Sequence, residues 1–400
     1  MTESRFLIYE LIAASVLFDT DNIYIKTSYC MANQPDLIGR GGFGCAFYPG
    51  LPCVGESEAR SGYVSKVMEP RFAETELKEG GFVRDFISDN PSAGQYLIIP
   101  EPTTCVPDIT RDVASEYGAE CPVLTGNTPP LSIWTRYGGR ELQKYWAETW
   151  VPGSRPVPTF VSICRALVDL TESSLIPLGD SGIVHMDVKP ENVVVGIGDR
   201  DGEIIVRLID WGVSINMNDD GDAWDAPVVQ NNLYAYAYNR CPTQILLSPE
   251  SVGIINKDVP TYDDGYLVVA NNLVDRALIE NKGSDSLKWT IEVMSIVGIE
   301  DPIAHLKNGI AKVIQGFWDE ELNEFDVQSL YAQVFVPNAD LWGLGLCVLD
   351  VATAADGEGA SSKCVLGSRE FLRDFLWEPE YWLSRFNVSK YCDALANAGT

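Results

Sequence analysis

The octet His185-Met-Asp-Val-Lys-Pro-Glu-Asn192, followed directly by three valines, is the most informative stretch of this 400-residue chain. Within six positions it provides a carboxylate (Asp187), an ammonium (Lys189) and an amide (Asn192). Phosphoryl transfer needs a carboxylate that orients the incoming hydroxyl, a cation near the transferred phosphate and an oxygen ligand for a divalent metal. The octet therefore predicts Asp187 and Lys189 as catalytic residues and Asn192 as a metal ligand.

Two short β-type runs after the octet predict how a further acidic residue reaches it. Residues 193–195 and 204–209 are rich in valine and isoleucine, and turn-forming residues lie between them. In an antiparallel hairpin the end of the second strand lies beside the start of the first. Asp210 is therefore expected beside Asp187 and Asn192, where Asp210 and Asn192 would hold Mg²⁺ on phosphate groups. The alternative is an exposed hairpin with acidic ends.

A glycine-rich stretch upstream predicts a phosphate-binding turn. Residues 37–48 have the pattern of strand, turn and strand, with Gly39, Gly41 and Gly44 at GxGxxG spacing. Glycines let backbone N–H groups approach phosphates, although a glycine-rich hairpin turn without a ligand is equally common. A dinucleotide-binding turn would be followed by a helix, whereas residues 45–48 continue as an apolar strand.

The next apolar strand, residues 63–68, contains one lysine, Lys66. A lone strand lysine usually faces solvent, but downstream of a glycine turn Lys66 is the candidate for binding the α- and β-phosphates of ATP. A following helix should carry its glutamate partner. Glu79 is favoured because apolar residues lie three, four and seven positions after it, although two adjacent glycines weaken the helix; Glu76 is the competitor.

Residues 131–142 predict a strand that breaks at two glycines. Such a connection between two parts of a molecule offers backbone groups of Arg136, Tyr137 and Gly138 to an adenine ring, with Thr135 at the inner wall of the site. An ordinary strand-to-helix turn is the alternative. Helical spacing is predicted over residues 159–180, which lead into the octet, and over residues 369–386.

The net charge of −28, with 57 acidic and 29 basic residues, argues against a nucleic-acid or anionic-membrane partner. It is compatible with basic protein substrates, although acidic surfaces more often serve solubility. The apolar run 7–18 is too short to span a membrane, contains Glu10 and lacks the basic start of a signal peptide. Ten scattered cysteines without a CxxC pair predict reduced thiols in an intracellular, non-secreted protein.

Together these motifs resemble eukaryotic-type Ser/Thr protein kinases over nearly the whole chain. Details are similar to kinases of large nucleocytoplasmic DNA viruses, namely residues 63–66, 136–139, 238–243, 331–335 and 340–343. The resemblance implies an α+β bilobal fold, with a small β-rich N-lobe at 1–137 and a larger, mainly helical C-lobe at 138–400. It also implies ATP and Mg²⁺ as ligands, an insertion at about 251–336, and a host cytoplasmic or virion location.

The resemblance also assigns roles to single residues. Ala46 and Val64 would lie above the adenine, Thr243 would contact Asp187 and Lys189, and Asp340 would bond back to the catalytic loop. Residues 248–250 would close the activation segment.

Two departures from the family pattern matter. Trp211 stands where phenylalanine is usual. Met186 replaces the arginine that binds a phosphorylated activation loop in many kinases, so we expect an enzyme that is active as synthesised.

Two other function classes compete with this interpretation. Small-molecule kinases of the aminoglycoside and choline type share a His-x-Asp loop and often Ile-Asp-Trp, as at Ile209–Trp211, but they lack the glycine turn and the 248–250 closure. A pseudokinase scaffold would usually have lost at least one functional group. This chain retains all of them, at Lys66, Asp187, Lys189, Asn192 and Asp210.

Overall fold

The chain begins, in its described part, with an antiparallel sheet and continues as a largely helical region. The computed structural model describes residues 35–149, 156–198, 203–219, 223–233, 237–262, 264–279, 284–357, 376–377 and 382–383. At this level the predicted combination of an antiparallel sheet and a mainly helical region is confirmed. The predicted turn at 199–202, the run 7–18 and most of the predicted helices at 369–386 lie outside the described residues.

Five antiparallel strands form the first sheet: β1 (Asp36–Gly41), β2 (Gly44–Tyr48), β3 (Tyr63–Met68), β4 (Thr104–Cys105) and β5 (Leu131–Arg136). Their spatial order is β1-β2-β3-β5-β4, so β3 is central. Ala46 and Ile133 flank Lys66 on the two neighbouring strands. The central strand therefore places the Lys66 side chain over the middle of the sheet.

Seven shorter strands follow: β6 (Arg140–Glu141), β7 (Ile183–Val184), β8 (Val193–Ile197), β9 (Ile204–Leu208), β10 (Ile215–Asn216), β11 (Trp318–Asp319) and β12 (Glu324–Phe325). They form a three-stranded sheet in the order β6-β8-β9 and two pairs, β7 with β10 and β11 with β12. The predicted hairpin is confirmed, because β8 and β9 pair antiparallel with Val193 opposite Leu208.

The described helices are α1 (Pro70–Asp89), α2 (Arg111–Tyr117), α3 (Leu142–Thr149), α4 (Pro156–Leu170), α5 (Ile176–Asp180), α6 (Pro227–Leu233), α7 (Pro249–Asp258), α8 (Gly265–Ile279), α9 (Ser284–Ile296), α10 (Pro302–Gly316), α11 (Val327–Leu330) and α12 (Val336–Gly357). A π-helical turn, Thr171–Leu175, joins α4 to α5, and a second one, Tyr331–Phe335, joins α11 to α12. The helix predicted at 159–180 is confirmed. Its apolar residues Ile163, Leu167 and Leu170 are fully buried.

One large apolar core unites the helical region with the β8–β9 hairpin and the end of α1. Residues 251–336 take part in this core through fully or almost fully buried side chains on two helices, Leu273 on α8 and Ile310 and Val313 on α10. Burying one such side chain contributes about 1.5–3 kcal/mol. The region predicted as an insertion is therefore part of the packed interior.

The segment Val327–Leu349 is, by length and composition, apolar and long enough to cross a membrane. However, 83% of its most apolar window is buried inside the molecule. Its Asp340 is only 7% exposed and accepts hydrogen bonds from the backbone of His185 and Met186. The segment therefore has the environment of a core helix.

Four described cysteines correct the reduced-thiol expectation. Cys45 pairs with Cys121 and Cys53 with Cys105, both within the region of the first sheet. The described cysteines of the helical region, Cys164, Cys241 and Cys347, are buried and take part in neither of these disulfides. No local sequence pattern predicts these pairs, because their partners lie 76 and 52 positions apart. Strand pairing and the loops that follow it bring them together.

Candidate active site

Asp187 lies in the loop between β7 and β8 and accepts hydrogen bonds from two other residues of the octet. Lys189 Nζ lies 2.7 Å and Asn192 Nδ2 lies 2.9 Å from Asp187 Oδ2. Asn192 Nδ2 also donates to the Asp187 carbonyl oxygen at 2.8 Å. The three predicted residues are therefore brought together, and the amide oxygen of Asn192 points away from Asp187.

Two buried side chains hold this loop in place. Asp187 N–H donates to His185 Nδ1 (3.2 Å), so His185 Nε2 carries the proton and donates to Ile209 O at 2.9 Å. Asp340 accepts the N–H groups of His185 (2.8 Å) and Met186 (2.9 Å), which confirms the expected contact with the loop. Met186 has a φ of 67°, and this left-handed conformation persists because its neighbours fix it.

Asp210 follows β9 and reaches the same site by the predicted route. Ile209 N–H donates to Asn192 O at 3.0 Å, which joins the end of the hairpin to the end of the octet. Asp210 has a φ of 69°, and its Oδ1 lies 2.6 Å from Lys66 Nζ. The neighbouring Trp211 is fully buried and donates from its indole nitrogen to Ile98 O at 2.8 Å. A phenylalanine could not make that bond.

The prediction that Glu79 pairs with Lys66 is wrong, because Lys66 Nζ lies 2.6 Å from Glu76 Oε2. Both glutamates are buried on α1, at 3% and 6% exposure, so the apolar spacing after Glu79 could not distinguish them. A side chain at Gly80 would come within 2.8 Å of Pro100, so its absence lets α1 pack closely there.

Two carboxylates thus share one ammonium. Burial lowers the pKa of Lys66, but Glu76 and Asp210 more than compensate and raise it above its usual range. Burial raises the pKa of Glu76 to about 7, against the opposing effect of Lys66. Burial also opposes ionisation of Asp210, yet Lys66 holds the pKa of that carboxyl below its usual value. Asp210, whose side chain is one third exposed, therefore stays ionised. When the pH falls, the proton taken up by this cluster of three side chains binds Glu76.

This assignment predicts a pH-dependent stability difference between the wild type and Glu76→Gln. Because folding raises the pKa of Glu76 from 4.5 to about 7, protonated Glu76 stabilises the fold at low pH, and this stabilisation is lost as the pH rises through that window. The free energy of unfolding of the wild type, relative to the variant, should fall by roughly 3 kcal/mol over the window. Urea unfolding at several pH values measures it. Glu74→Gln, exposed on the same helix, should give a flat difference.

A cavity of about 760 Å³ lies between the first sheet and the octet. Its volume is within the range of small-molecule sites. Of the predicted site residues, those that line it are Gly39, Gly41, Gly44, Ala46, Lys66, Thr135, Tyr137, Lys189, Asn192 and Asp210. Val64 also lines it, beside Ala46, as expected. Asp187 lies immediately behind the Lys189 and Asn192 side chains, which are bonded to it.

The glycine turn and the 136–139 connection form two edges of this cavity. A Cβ at Gly44 would lie 2.3 Å from the backbone atom Val67 O, so that position requires glycine. A Cβ at Gly138 would lie 2.0 Å from Ile98 Cδ1, so the Ile98 side chain would have to shift to admit one. Tyr137 N–H donates to Gly62 O at 2.9 Å, and Gly138 O accepts from Arg207 Nη1 at 3.0 Å. Adenine recognition by this connection would therefore use the Arg136 carbonyl and the Gly138 N–H.

Thr243 does not make the contact with Asp187 and Lys189 that the resemblance implies. Its hydroxyl is fully buried, and no described residue forms a geometrically satisfactory hydrogen bond with it. Asn239 instead donates to Asp187 Oδ1 at 3.0 Å. Asn239 was not predicted as a site residue from the sequence. Its only sequence signal is its position four residues before Thr243, within the stretch 238–243 that carries part of the resemblance.

The donor set fits a magnesium ion better than a closed metal cage. In the described ranges, no three His, Cys, Asp or Glu side chains converge on one point. Mg²⁺ in nucleotide sites takes one or two carboxylates, with the remaining positions filled by water and phosphate oxygens. Asp210 and the amide oxygen of Asn192, on the wall of a cavity large enough for a nucleotide, provide that kind of partial site.

No protein-family model matches this chain, and no curated protein is detectably similar to it. The functional assignment therefore depends on the geometry of the cavity and on the motifs around it.

Proposed function

We propose that this protein is an ATP-dependent Ser/Thr protein kinase with a bilobal kinase fold. The observation that carries the proposal is the position of the Lys66 ammonium. It is bonded at 2.6 Å both to Glu76 of α1 and to Asp210 after the hairpin. This pair of contacts links the first sheet, α1 and the end of the β8–β9 hairpin at a cavity that is also lined by Lys189 and Asn192.

In this proposal ATP enters the cavity with its adenine against Ala46, Val64 and the 136–139 connection. Lys66 binds phosphate oxygens, and Glu76 holds Lys66 in place. Backbone N–H groups of the glycine turn cover the phosphates, as glycine-rich turns do in phosphate sites. The mechanism is therefore mainly positioning and charge stabilisation, which is what phosphoryl transfer requires of a protein.

Asp187 orients the acceptor hydroxyl and takes up its proton as the hydroxyl oxygen bonds to the γ-phosphorus of ATP; the bond from that phosphorus to the bridging oxygen breaks, and ADP leaves with the electron pair. Lys189, 2.7 Å from Asp187, stabilises negative charge on the transferred group. When bound, Mg²⁺ neutralises charge on the β- and γ-phosphates, and Asp210 and Asn192 are the residues that would hold it. The acidic surface of the chain suits basic protein substrates.

A radiolabelled ATP assay that offers casein, histone, choline and an aminoglycoside in parallel tests this proposal. We expect label on serine and threonine of the proteins, and more on histone if basic substrates are preferred. Label on choline or the aminoglycoside alone would instead establish the small-molecule phosphotransferase. ATP binding without transfer to any of the four acceptors would favour the pseudokinase scaffold.

A further inference from the structure

Two adjacent buried residues, Asn239 and Arg240, connect the segment 237–247 to the catalytic loop. Asn239 Nδ2 donates to Asp187 Oδ1 at 3.0 Å and to Val188 O at 3.1 Å. Arg240 Nε donates to Met186 O at 2.8 Å. Asn239 is 3% and Arg240 is 5% exposed, so water does not compete for these hydrogen bonds. Three successive residues of the loop are therefore bonded to two successive residues of the segment.

Further contacts fix the rest of the segment. Gln244 Oε1 accepts the N–H of Ala237 at 3.2 Å, and Leu246 and Leu247 are fully buried. Beyond its end, Ser248 caps α7 by accepting the N–H of Ser251 at 3.0 Å. These contacts are hydrogen bonds and apolar packing between unmodified residues. None of them needs a phosphate group.

Arg240 supplies the positive charge between the segment and the loop. The loop carries methionine at 186, so it has no guanidinium at that position to bind a phosphorylated segment. The charged arginine lies on the segment itself, and it contacts the backbone of Met186. Asp187 and Asp340 both lie close enough to interact electrostatically with it. The cation that holds the loop and the segment together is therefore Arg240 of the segment and not a residue of the loop.

We propose that Asn239 and Arg240 are positioning residues that keep the segment 237–247 permanently docked on the catalytic loop and hold Asp187 in its working orientation without phosphorylation. The proposal rests on the kinase function above and adds its mode of regulation. Asn239 acts through Asp187: it bonds Oδ1, while Lys189 and Asn192 bond Oδ2, so both carboxylate oxygens are fixed.

The test compares the full-length wild type with Asn239→Ala and Arg240→Lys. Asn218→Ala is the matched control, because Asn218 makes the same kind of amide-to-carbonyl bond, to Ser181 O at 2.8 Å, on an exposed surface. Each protein is treated with phosphatase. Amide hydrogen exchange of residues 237–247 is then measured, together with kcat and the KM for ATP.

We expect residues 237–247 to exchange about tenfold faster in Asn239→Ala, since two hydrogen bonds are lost, and kcat to fall about tenfold with an unchanged KM for ATP. Arg240→Lys should show a smaller effect in the same direction, because it keeps the charge but loses the Nε donor. The phosphatase-treated wild type and Asn218→Ala should retain both exchange protection and activity.

The proposal is overturned if phosphatase removes exchange protection or activity from the wild type. It is also overturned if Asn239→Ala leaves the exchange of 237–247 unchanged. Should that variant fail to fold, Asn239→Ser, whose hydroxyl can replace at most one of the two hydrogen bonds, is measured instead and must still show faster exchange than the wild type. A wild type that transfers no phosphate contradicts the proposed function alone, because the exchange data still decide whether the segment is docked.

Discussion

Asp187→Asn is expected to lose at least about a hundredfold in turnover while still binding ATP. The substitution removes the carboxylate that we propose orients the acceptor hydroxyl and leaves the side-chain volume almost unchanged. Asp187 accepts from Asn239 at Oδ1 and from Lys189 and Asn192 at Oδ2. An amide can accept on one side only, so the variant also loses part of the geometry that holds this side chain.

Single-turnover transfer from radiolabelled ATP measures the chemical step, and calorimetric titration with ATP measures binding. Asp285→Asn is a suitable control, because this aspartate is 97% exposed and distant in sequence from the octet. Its turnover should equal that of the wild type. Turnover retained by Asp187→Asn would contradict the proposed mechanism, whatever the fold.

The parts of the site that follow from local spacing were predictable from the sequence. The β8–β9 hairpin was predictable because turn-forming residues separate two runs of β-type residues. The antiparallel pairing of these strands places Asp210 near Asn192, and Ile209 N–H donates to Asn192 O. The contact of Asp340 with the loop was implied by resemblance alone, and the structure places it at 2.8 and 2.9 Å from two backbone nitrogens.

Features set by packing between distant segments were not predictable in this way. The choice between Glu76 and Glu79 depends on how α1 packs against the sheet, because both glutamates are buried on that helix. The disulfides depend on contacts across 76 and 52 residues. Asn239 makes the contact that was expected of Thr243. Which side chain of the segment 237–247 faces Asp187 depends on the path of its backbone, and packing against the rest of the fold sets that path.

The pairing of Lys66 leads to the second large effect: Lys66→Met should lose both stability and phosphoryl transfer. It removes the ammonium from between Glu76, whose side chain is 4% exposed, and Asp210. Leaving a buried charge without its partner typically costs 3–5 kcal/mol. Uptake of a proton by Glu76, whose pKa is already about 7, relieves part of this cost. We therefore expect a loss of about 3 kcal/mol in the free energy of unfolding.

The same substitution should lower transfer by about 10²-fold or more, because a preorganised cation near the phosphates is lost. Urea unfolding and single-turnover transfer measure the two effects. Lys78→Met is the matched control: Lys78 lies on α1, the helix that carries Glu76, is 57% exposed and is 3.8 Å from Asp219, so its loss should cost less than about 1 kcal/mol. The double variant Lys66→Met/Glu76→Gln should recover part of the lost stability but none of the transfer, since it removes the unpaired carboxylate without restoring the cation. A Lys66→Met protein as stable and as active as the wild type would show that the ammonium has no role at this site.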